Sequence, residues 1–392
     1  LVRWHGRWEA PPYFRAIPGD WETKSDAHTP ATSHEQVSLL LKKSLENHEW
    51  RQRRCINLIP SEMTQSSLVR LLQVTDPCGR YAEHKELLAA FEQEIFYYQG
   101  TEFIAWAEDR LVEEMQKFLG YPLVETRVIS GQMANMTIFS ALVDFINRTD
   151  RRSEPRRIPL VMNNHIGKGG HLSSQPMGAL RDYISKDPVT EKYSVINFPV
   201  LEDNPYSIDL NETANLLDRF NPELIILGKS MILHPEPVAE IRKMLETKTS
   251  RPVIMYDMAH VLGLIGPHFQ DPYAEGADII TGSTHKTFYG SQRGVIGARY
   301  EEGVPEYELW KAIERRVFPG AVSNHHLGTL LGLLMAAIEM NAFKDSYQPQ
   351  VIANAKAFAK ALEAEGLEVQ GDPEVGYTEP HQVVVVVGYA QG

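Results

Sequence analysis

The chain has 392 residues, with 39 Lys and Arg against 51 Asp and Glu, so its formal net charge is −12. Hydrophobic residues make up 43% and charged residues 23%, which is typical of globular proteins and argues against a disordered or fibrous chain. Two cysteines exclude a disulfide scaffold and a four-cysteine zinc site, and they fit a reducing, cytoplasmic compartment. The acidic balance disfavours nucleic acid and anionic membranes as partners.

Residues 1–32 are rich in Trp, Tyr and Pro without a clear period. They form either an extended arm that packs on a partner subunit or a flexible leader. The chain begins without Met and stops after a strand-like run, so we expect that residues are missing at both ends; no signal peptide or membrane span is predicted. The capping box Ser33-His34-Glu35-Gln36 predicts that a helix begins there.

Helical and strand patterns alternate from about residue 100 onward. Apolar residues recur at helical spacing from Phe103 to Phe118, and Gly120 follows as a stop signal. The later predictions are a strand at 126–129, a helix over 131–146, buried strands at 158–162, 224–227, 253–256 and 279–281, a helix over 351–367 and a strand at 382–387. Strands that are apolar on both faces predict an α/β fold with a mainly parallel sheet covered by helices.

Ligands of open α/β sheets bind at the carboxyl ends of the strands, so residues that follow strands are candidates. Ser130 and Gly131 open a predicted helix, where free N–H groups suit a phosphate, although an ordinary Ser N-cap has the same pattern. Asp257 ends a buried strand, as either a helix cap or a functional anion. Lys286 follows the last buried strand among Ser, Thr and His residues, as either a solvated lysine or a Schiff-base amine.

His165 and His171 could indicate zinc, but no His-Glu-x-x-His motif or carboxylate partner is nearby, so no metal is predicted. His171 follows two glycines and could instead stack on a flat ring. A phosphate cradle, a stacking His, an Asp and a Lys in this order are the groups that pyridoxal phosphate requires. They supply N–H donors for the phosphate, a π partner, a carboxylate for the pyridine nitrogen and an amine for the aldehyde.

Two paired motifs, Asp257-Met258-Ala259-His260 and Ser283-Thr284-His285-Lys286-Thr287, make the chain resemble the serine hydroxymethyltransferase family of fold-type-I pyridoxal-phosphate enzymes. Further matches are Leu58-Ile59-Pro60-Ser61-Glu62, Arg80-Tyr81-Ala82-Glu83, Tyr97-Tyr98 with Glu102, Ser130-Gly131 with Ala134-Asn135, Gly169-Gly170-His171-Leu172 and Phe318-Pro319-Gly320. The resemblance covers about residues 56–388. It implies an N-terminal arm and helix (1–50), a large cofactor-binding domain with a seven-stranded-type sheet (51–330) and the start of a smaller α+β domain (331–392).

The resemblance implies a role for each matched residue. Lys286, Glu83, Tyr81 and His260 are the implied catalytic residues, and Glu83 would handle the proton of the substrate hydroxyl; otherwise Glu83 is an exposed residue at a helix start. The implied cofactor contacts are Ser130, Gly131, Gln132, His171, Ser230, Asp257, His260, Ser283, His285, Lys286 and Gly320. The implied substrate contacts are Ser61, Tyr81 and Glu83. In the family, the residues that match Tyr81, Glu83 and Gly320 reach the active site from the second subunit. The resemblance therefore implies a homodimer with shared active sites.

The implied activity is the making or breaking of the Cα–Cβ bond of a serine- or threonine-type amino acid through a glycyl quinonoid, in amino-acid or one-carbon metabolism. A protonated pyridinium delocalises the carbanion, and a carboxyl such as that of Glu83 moves the hydroxyl proton. The alternative is a threonine aldolase or transaldolase that passes the glycyl unit to another aldehyde without folate. A catalytically silent relative is a third alternative, and the intact Lys286, Asp257 and His171 argue against it.

Departures from the family pattern bear on which molecule, folate or an aldehyde, accepts the transferred unit. Met63 replaces a polar residue, extra residues lie between Glu83 and Tyr97, and a Gly-rich run is replaced after Gly320. The longer 290–294 loop and the 378–383 stretch look more like threonine transaldolases, whereas Tyr81-Ala82-Glu83 has the hydroxymethyltransferase form. The substrate-carboxylate Arg and part of the folate site would lie beyond residue 392, so tetrahydrofolate is unsupported as a second cofactor.

Overall fold

The computed structural model describes residues 32–87, 93–150, 154–248 and 251–387, and the backbone alone for 3–4, 7–8, 85–87 and 93–95. The chain divides into two units, Leu1–Ile59 with Val385–Gly392, and Pro60–Val384. In the first unit β1 (Arg3–Trp4) pairs antiparallel with β2 (Arg7–Trp8). The rest of the aromatic arm lies outside the described residues, so its two interpretations stay open, and the expected division at residue 330 stays a prediction.

Helix α1 (Ser33–Glu49) begins where the sequence predicts a helix, but its cap is one residue earlier than predicted. Thr32 is the N-cap, since its hydroxyl accepts from the Glu35 N–H at 3.3 Å and the Glu35 carboxylate accepts from the Thr32 N–H at 2.7 Å. A capping box joins residues three apart. Glu35 offers a charged acceptor to Thr32, whereas the predicted cap at Ser33 would have only the Gln36 amide.

The remaining described α-helices are α2 (Ser67–Leu72), α3 (Glu102–Leu119), α4 (Gly131–Ile146), α5 (Leu210–Arg219), α6 (Val238–Leu245), α7 (Pro272–Glu275), α8 (Tyr307–Arg315) and α9 (Leu327–Ala364). The described strands after β2 are β3 (His84–Leu87), β4 (Gln93–Phe96), β5 (Leu123–Glu125), β6 (Val161–Asn163), β7 (Val195–Asn197), β8 (Leu224–Leu227), β9 (Val253–Asp257), β10 (Ile279–Ser283), β11 (Gly294–Ala298), β12 (Glu368–Gln370) and β13 (Val384–Val386). The helix predicted over 131–146 is confirmed, and Gly120 ends α3 in the left-handed conformation, as predicted.

A seven-stranded sheet with the order β5-β11-β10-β9-β8-β6-β7 forms the centre of the second unit. Strands β6 to β10 are parallel to one another, and β11 runs antiparallel to its two neighbours in this sheet, β10 and β5. The predicted mainly parallel α/β sheet is therefore confirmed. Alternate residues of β8 and β9 enter two separate buried clusters, one with α3 and α9 and one with α4 and α8. Helices thus cover both faces, which explains the continuous apolar runs.

Several predicted boundaries are wrong. The strand predicted at 126–129 is found earlier in the chain, as β5. The Glu125 carboxylate accepts from the Arg127 N–H at 2.8 Å, and this turn ends the strand at Glu125. The strand predicted at 158–162 is shortened to β6, since Pro159 has no N–H to offer. The helix predicted over 351–367 is the second half of α9.

Helix α9 is 38 residues long. Within the described ranges it has the length and composition that a membrane span would need, yet 56% of its most apolar stretch is buried inside the fold. It packs against α2 and α3 and contributes Leu330, Leu333 and Met340 to the larger buried cluster. These contacts are those of a core helix of a folded domain.

Candidate active site

The Lys286 amine lies against His260 in the turn that follows β10. Lys286 Nζ is 3.0 Å from His260 Nε2. Burial lowers the pKa of Lys286, and the charge of Asp257 only partly opposes this, so more of the amine is unprotonated and nucleophilic. Burial and the nearby lysine lower the pKa of His260 to about 3, which keeps its ring neutral. Both the amine and the ammonium form of lysine carry N–H groups, so Nε2 of the neutral ring can accept from Lys286.

Asp257, the last residue of β9, is a buried carboxylate with three donors. Its Oδ2 accepts from Asn135 Nδ2 at 2.7 Å and from His171 Nδ1 at 2.5 Å, and its Oδ1 accepts from the Ala259 N–H at 3.1 Å. Burial alone would raise the pKa of Asp257, but the charge and hydrogen bond of His171 and the Asn135 amide hold it below its ordinary value. The carboxylate is therefore ionised and fixed in direction.

Asn135 orients Asp257, although sequence reasoning assigned it no role. It is fully buried on α4, and its Oδ1 accepts from Thr281 Oγ1 at 2.6 Å. That bond directs the amide N–H groups toward Asp257 and toward Ser173 Oγ, which is also 2.7 Å away. Thr281 is the register partner of Asp257 in the β9–β10 ladder, so the whole arrangement belongs to the sheet edge. A polar residue in the apolar face of α4 was the signal available in the sequence.

The Ser130–Gly131 turn packs directly on the ends of β10 and β11. Ser130 caps α4, with its hydroxyl accepting from the Met133 N–H at 3.0 Å. A Cβ on Gly131 would lie 2.3 Å from Ser283 Oγ, and a Cβ on Gly294 would lie 2.3 Å from the Ser130 carbonyl oxygen. The approach at Gly294 requires glycine because it meets backbone atoms, whereas the atom nearest Gly131 is a hydroxyl oxygen that can rotate away. The two approaches leave the first N–H groups of a sixteen-residue helix beside Ser283, while Gln132 is exposed on the same turn.

His171 and Ser230 lie on two loops that are paired to each other. The Ser230 N–H donates to the Gly169 carbonyl at 2.7 Å, and the His171 N–H donates to the Gly228 carbonyl at 3.2 Å. The ring centroids of His171 and His260 are 5.5 Å apart at an angle of 80°. The fold thus brings His171 beside Asp257 and His260, with Ser230 on the adjoining loop.

His381 joins this cluster from the far end of the chain, and the sequence analysis gave it no role beyond its place in the 378–383 stretch. Its Nε2 bonds to the Pro60 carbonyl at 3.1 Å, one residue before Ser61. Burial lowers the pKa of His381 to about 4, opposed by that hydrogen bond and reinforced by the charge of Lys286. Because a carbonyl only accepts, Nε2 carries the proton, and the buried Nδ1 is an acceptor without a partner.

Three of the predicted site residues lie outside this cluster. Among the described residues, no hydrogen bond links Tyr81, Glu83 or Gly320 to Lys286 or Asp257. Tyr81 is 58% exposed, and its ring lies 5.5 Å from that of Tyr98, whose hydroxyl is bonded to Glu83. Gly320 is exposed in the loop after Phe318 and Pro319. Tyr81 is therefore exposed and Glu83 half-buried, and within the described residues neither is hydrogen-bonded to the lysine of its own chain.

The cluster fits a ligand that carries a phosphate, a flat ring and an aldehyde. His260 Nδ1, His285 Nδ1 and His381 Nδ1 are buried ring nitrogens without hydrogen-bond partners. Buried polar atoms are normally paired, so these three are available to hydrogen-bond a ligand in this cluster. A helix N-terminus for a phosphate, an ionised carboxylate for a ring nitrogen and a lysine amine for an aldehyde are the groups that pyridoxal phosphate needs.

Comparison with known proteins agrees with this chemistry. Residues 34–388 match the family described as Serine hydroxymethyltransferase. The serine hydroxymethyltransferase of Archaeoglobus fulgidus is 38% identical over 344 residues, which are 88% of this chain and 70% of that protein. That of Pyrobaculum aerophilum is 36% identical, over 90% of this chain and 74% of that protein. The L-threonine transaldolase of Pseudomonas fluorescens, solved in the internal aldimine state, superposes with a TM-score of 0.72 at 28% identity, covering 91% of this chain and 74% of that one.

Proposed function

The chain belongs to the serine hydroxymethyltransferase family of pyridoxal-phosphate enzymes, and we propose that it makes and breaks the Cα–Cβ bond of a β-hydroxy amino acid of the serine or threonine type. One observation carries the proposal: a lysine amine of lowered pKa lies beside a neutral histidine and a buried, ionised aspartate at one sheet edge. Pyridoxal phosphate supplies the electron sink for the carbanion that bond cleavage leaves on Cα.

The residues of this chain bind the cofactor and the substrate. Lys286 supplies the amine that holds the cofactor aldehyde, and Asp257 keeps the pyridine nitrogen protonated. His171 stacks on the ring, while His260 and Ser230 donate on the side of the phenolic oxygen. The phosphate is held by the first turn of α4 and by the polar loop after β10, with a further contact from a second subunit; these residues are Ser130, Gly131, Gln132, Ser283, His285 and Gly320. Ser61 contacts the substrate carboxylate.

We infer that the active unit is a homodimer in which Tyr81 and Glu83 act in the partner's site. Glu83 would take the proton of the substrate hydroxyl as the aldehyde leaves. The surface around Tyr81 supports this inference, because Tyr97, Phe103 and Trp106 are between 52% and 57% exposed on the same stretch of chain. Clustered exposed aromatic side chains mark interfaces between proteins. The two free cysteines suit a cytoplasmic enzyme.

A transaldolase that passes the glycyl unit to a second aldehyde is the other candidate activity. The structural likeness to the Pseudomonas fluorescens enzyme favours it, as does the longer loop from Gly290 to Gly294. The hydroxymethyltransferase relatives and the Tyr81-Ala82-Glu83 motif favour transfer to folate in one-carbon metabolism. Both reactions share the first bond cleavage.

Replacement of Lys286 tests the cofactor chemistry. The wild-type protein should show the absorption band of bound pyridoxal phosphate, and borohydride reduction should leave a pyridoxyl group on the peptide that contains Lys286. The Lys286→Ala variant should lose both signals, while Lys311→Ala, an exposed lysine on α8, should keep them. A colourless wild-type protein that takes up no cofactor would count against the proposal.

Comparison of four reactions of the same enzyme identifies whether folate or an aldehyde is the acceptor. Glycine formation from threonine is measured with and without an added aromatic aldehyde, and glycine formation from serine is measured with and without tetrahydrofolate. A transaldolase forms a new β-hydroxy amino acid from the added aldehyde, whereas a hydroxymethyltransferase depends on folate with serine. An enzyme inactive in all four reactions would refute Cα–Cβ cleavage of these substrates.

A further inference from the structure

The segment that carries Tyr81 and Glu83 has no helix or strand of its own, yet side chains of the loop before α9 hold it from two sides. Residues 80–82 lie outside the strands, and the Glu83 carbonyl accepts from the Tyr97 N–H at 3.1 Å beside the first pair of β3 and β4. The amide of Asn324 spans Tyr81: its Oδ1 accepts from the Ala82 N–H at 3.3 Å, and its Nδ2 donates to the Arg80 carbonyl at 3.1 Å. The Asn324 side chain thus makes the two hydrogen bonds that a neighbouring strand would make to this segment. These bonds fix the direction in which the Tyr81 side chain projects from the backbone.

The next residue, His325, holds the other end of the same segment through Glu108 of α3. His325 Nε2 is 2.5 Å from Glu108 Oε1, and Glu108 Oε2 is 2.8 Å from Nε2 of His84, which follows Glu83 directly. His325 is 5% exposed and Glu108 is 9% exposed, so these bonds are shielded from water. A buried charge-assisted hydrogen bond of this kind is among the stronger polar contacts in proteins.

Arg293 fixes the direction of the His325 ring. Its Nη2 is 2.9 Å from His325 Nδ1, and a guanidinium can only donate, so the ring proton must lie on Nε2 and point at Glu108. The same guanidinium donates to the Thr126 carbonyl at 3.0 Å and to Thr329 Oγ1 at 3.1 Å. Arg293 ends the loop that begins after Lys286, so the network connects that loop to the segment before β3.

We propose that Asn324, His325 and Glu108 form a clamp that positions the Tyr81–Glu83 segment for proton transfer at the substrate. These are positioning residues, because none of them touches the Lys286 cluster in its own subunit. The proposal rests on the proposed function, in which Tyr81 and Glu83 serve the active site of the partner subunit. A carboxylate that is offered across an interface must be held firmly by its own subunit, since a displacement of about 1 Å can cost about 100-fold in rate.

The test compares Asn324→Ala, Asn324→Asp and His325→Ala with the control His326→Ala, a neighbouring histidine whose side chain is exposed. Both alanine variants at 324 and 325 should lower kcat for Cα–Cβ cleavage by about 10- to 100-fold. The amino-acid KM, the cofactor band and the cofactor content should stay close to wild type, because the Lys286 cluster is untouched. A purely structural role would instead lower cofactor content and leave kcat per bound cofactor unchanged.

Hydrogen exchange of the Ala82 amide gives a readout that does not depend on activity. Its acceptor is the Asn324 oxygen, so exchange should be about tenfold faster in Asn324→Ala, while Asn324→Asp keeps an acceptor and should stay slow. Asn324→Asp has no N–H to donate to the Arg80 carbonyl, so its kcat should stay lowered even though the Ala82 amide keeps its acceptor. Unchanged exchange in Asn324→Ala, or faster exchange with an unchanged kcat, would overturn the clamp. An inactive wild-type enzyme would refute the proposed function, and the exchange rates would still decide whether the clamp holds the segment.

Discussion

Single residues of this site take their properties from the neighbours that surround them. Asp257 is buried, yet its pKa stays below its ordinary value because Asn135 and His171 donate to it. His260 is kept neutral by the same burial and by the adjacent Lys286 amine. A buried carboxylate and a buried amine therefore persist in the forms that suit cofactor binding. The Asn135 amide does this without adding charge to the interior, whereas His171 acts through its charge as well as its hydrogen bond.

The pKa of Glu108 predicts a contribution to stability that depends on pH. Burial alone would raise this pKa, but hydrogen bonds from His325 and His84 lower it to about 2, from an ordinary value of 4.5. A carboxyl whose pKa is depressed in the folded state stabilises the fold above pH 4.5 and loses this effect as the pH falls toward 2. A shift of this size corresponds to about 3 kcal/mol of the free energy of unfolding.

Urea unfolding of the wild type and of Glu108→Gln at neutral pH and at steps below pH 4.5 measures this contribution. The difference between the two free energies of unfolding should shrink as the pH falls. Glu113→Gln, an exposed carboxyl on the same helix, should show a small difference that changes little. A difference for Glu108→Gln that stays constant through this range would contradict the assigned pKa.

At the level of elements, the site is a set of loops at the carboxyl ends of parallel strands. Strands β8 and β9 end at Leu227 and Asp257, β10 ends at Ser283 just before the turn of Lys286, and α4 begins beside them. The antiparallel strand β11 begins at Gly294, against the Ser130 turn. Because these elements converge at one edge, small backbone shifts in any of them move the phosphate cradle.

Gly294→Ala should damage this convergence. The new Cβ would lie 2.3 Å from the Ser130 carbonyl oxygen, and neither backbone can rotate away as a side chain could. We expect a loss of about 1–3 kcal/mol in the free energy of unfolding and a weakened affinity for pyridoxal phosphate. Gly79→Ala, where nothing lies within 4 Å of the new Cβ, is the control. Equal cofactor affinity in both variants, measured by absorbance titration, would show that the close approach does not shape the cradle.

For the whole molecule, the proposed dimer has active sites shared between subunits, since within the described part of one chain Tyr81 and Glu83 make no hydrogen bond to Lys286 or Asp257. Half of each site would then come from each chain, and dissociation would stop the reaction. The Asn324–His325 clamp ties the shared segment to the loop that follows Lys286 of its own subunit, so the two sites of a dimer would be mechanically connected.

Hybrid dimers test this sharing. Co-expression of Lys286→Ala chains with Glu83→Gln chains should restore about one quarter of wild-type activity, because half of the dimers are hybrids and each hybrid has one intact site of two. Each variant alone should be inactive. Lys286→Ala chains mixed with the Lys286→Ala, Glu83→Gln double variant have no intact site and provide the background. Activity of the first mixture at that background would show that each chain completes its own site.

The sequence by itself determined the sheet and the order of its chemical groups. Apolar runs such as 224–227 identify strands because a strand buried on both faces can hold no charge, and the motifs around Asp257 and Lys286 indicate the cofactor because its chemistry needs those groups. These are local patterns, visible within a few residues. The ends of β5 and α9 were predicted wrongly because a side-chain bond in one case and long-range packing in the other decided them.

Only the tertiary structure decided which polar side chains support those groups. Asn135 and Asp257 are 122 positions apart, His325 and Glu108 are 217 apart, and His381 and Pro60 are 321 apart. A single Asn or His on an element is compatible with many partners. The partner is chosen when the strands are ordered and the helices pack, because burial makes each unpaired donor or acceptor costly and leaves one neighbour within reach.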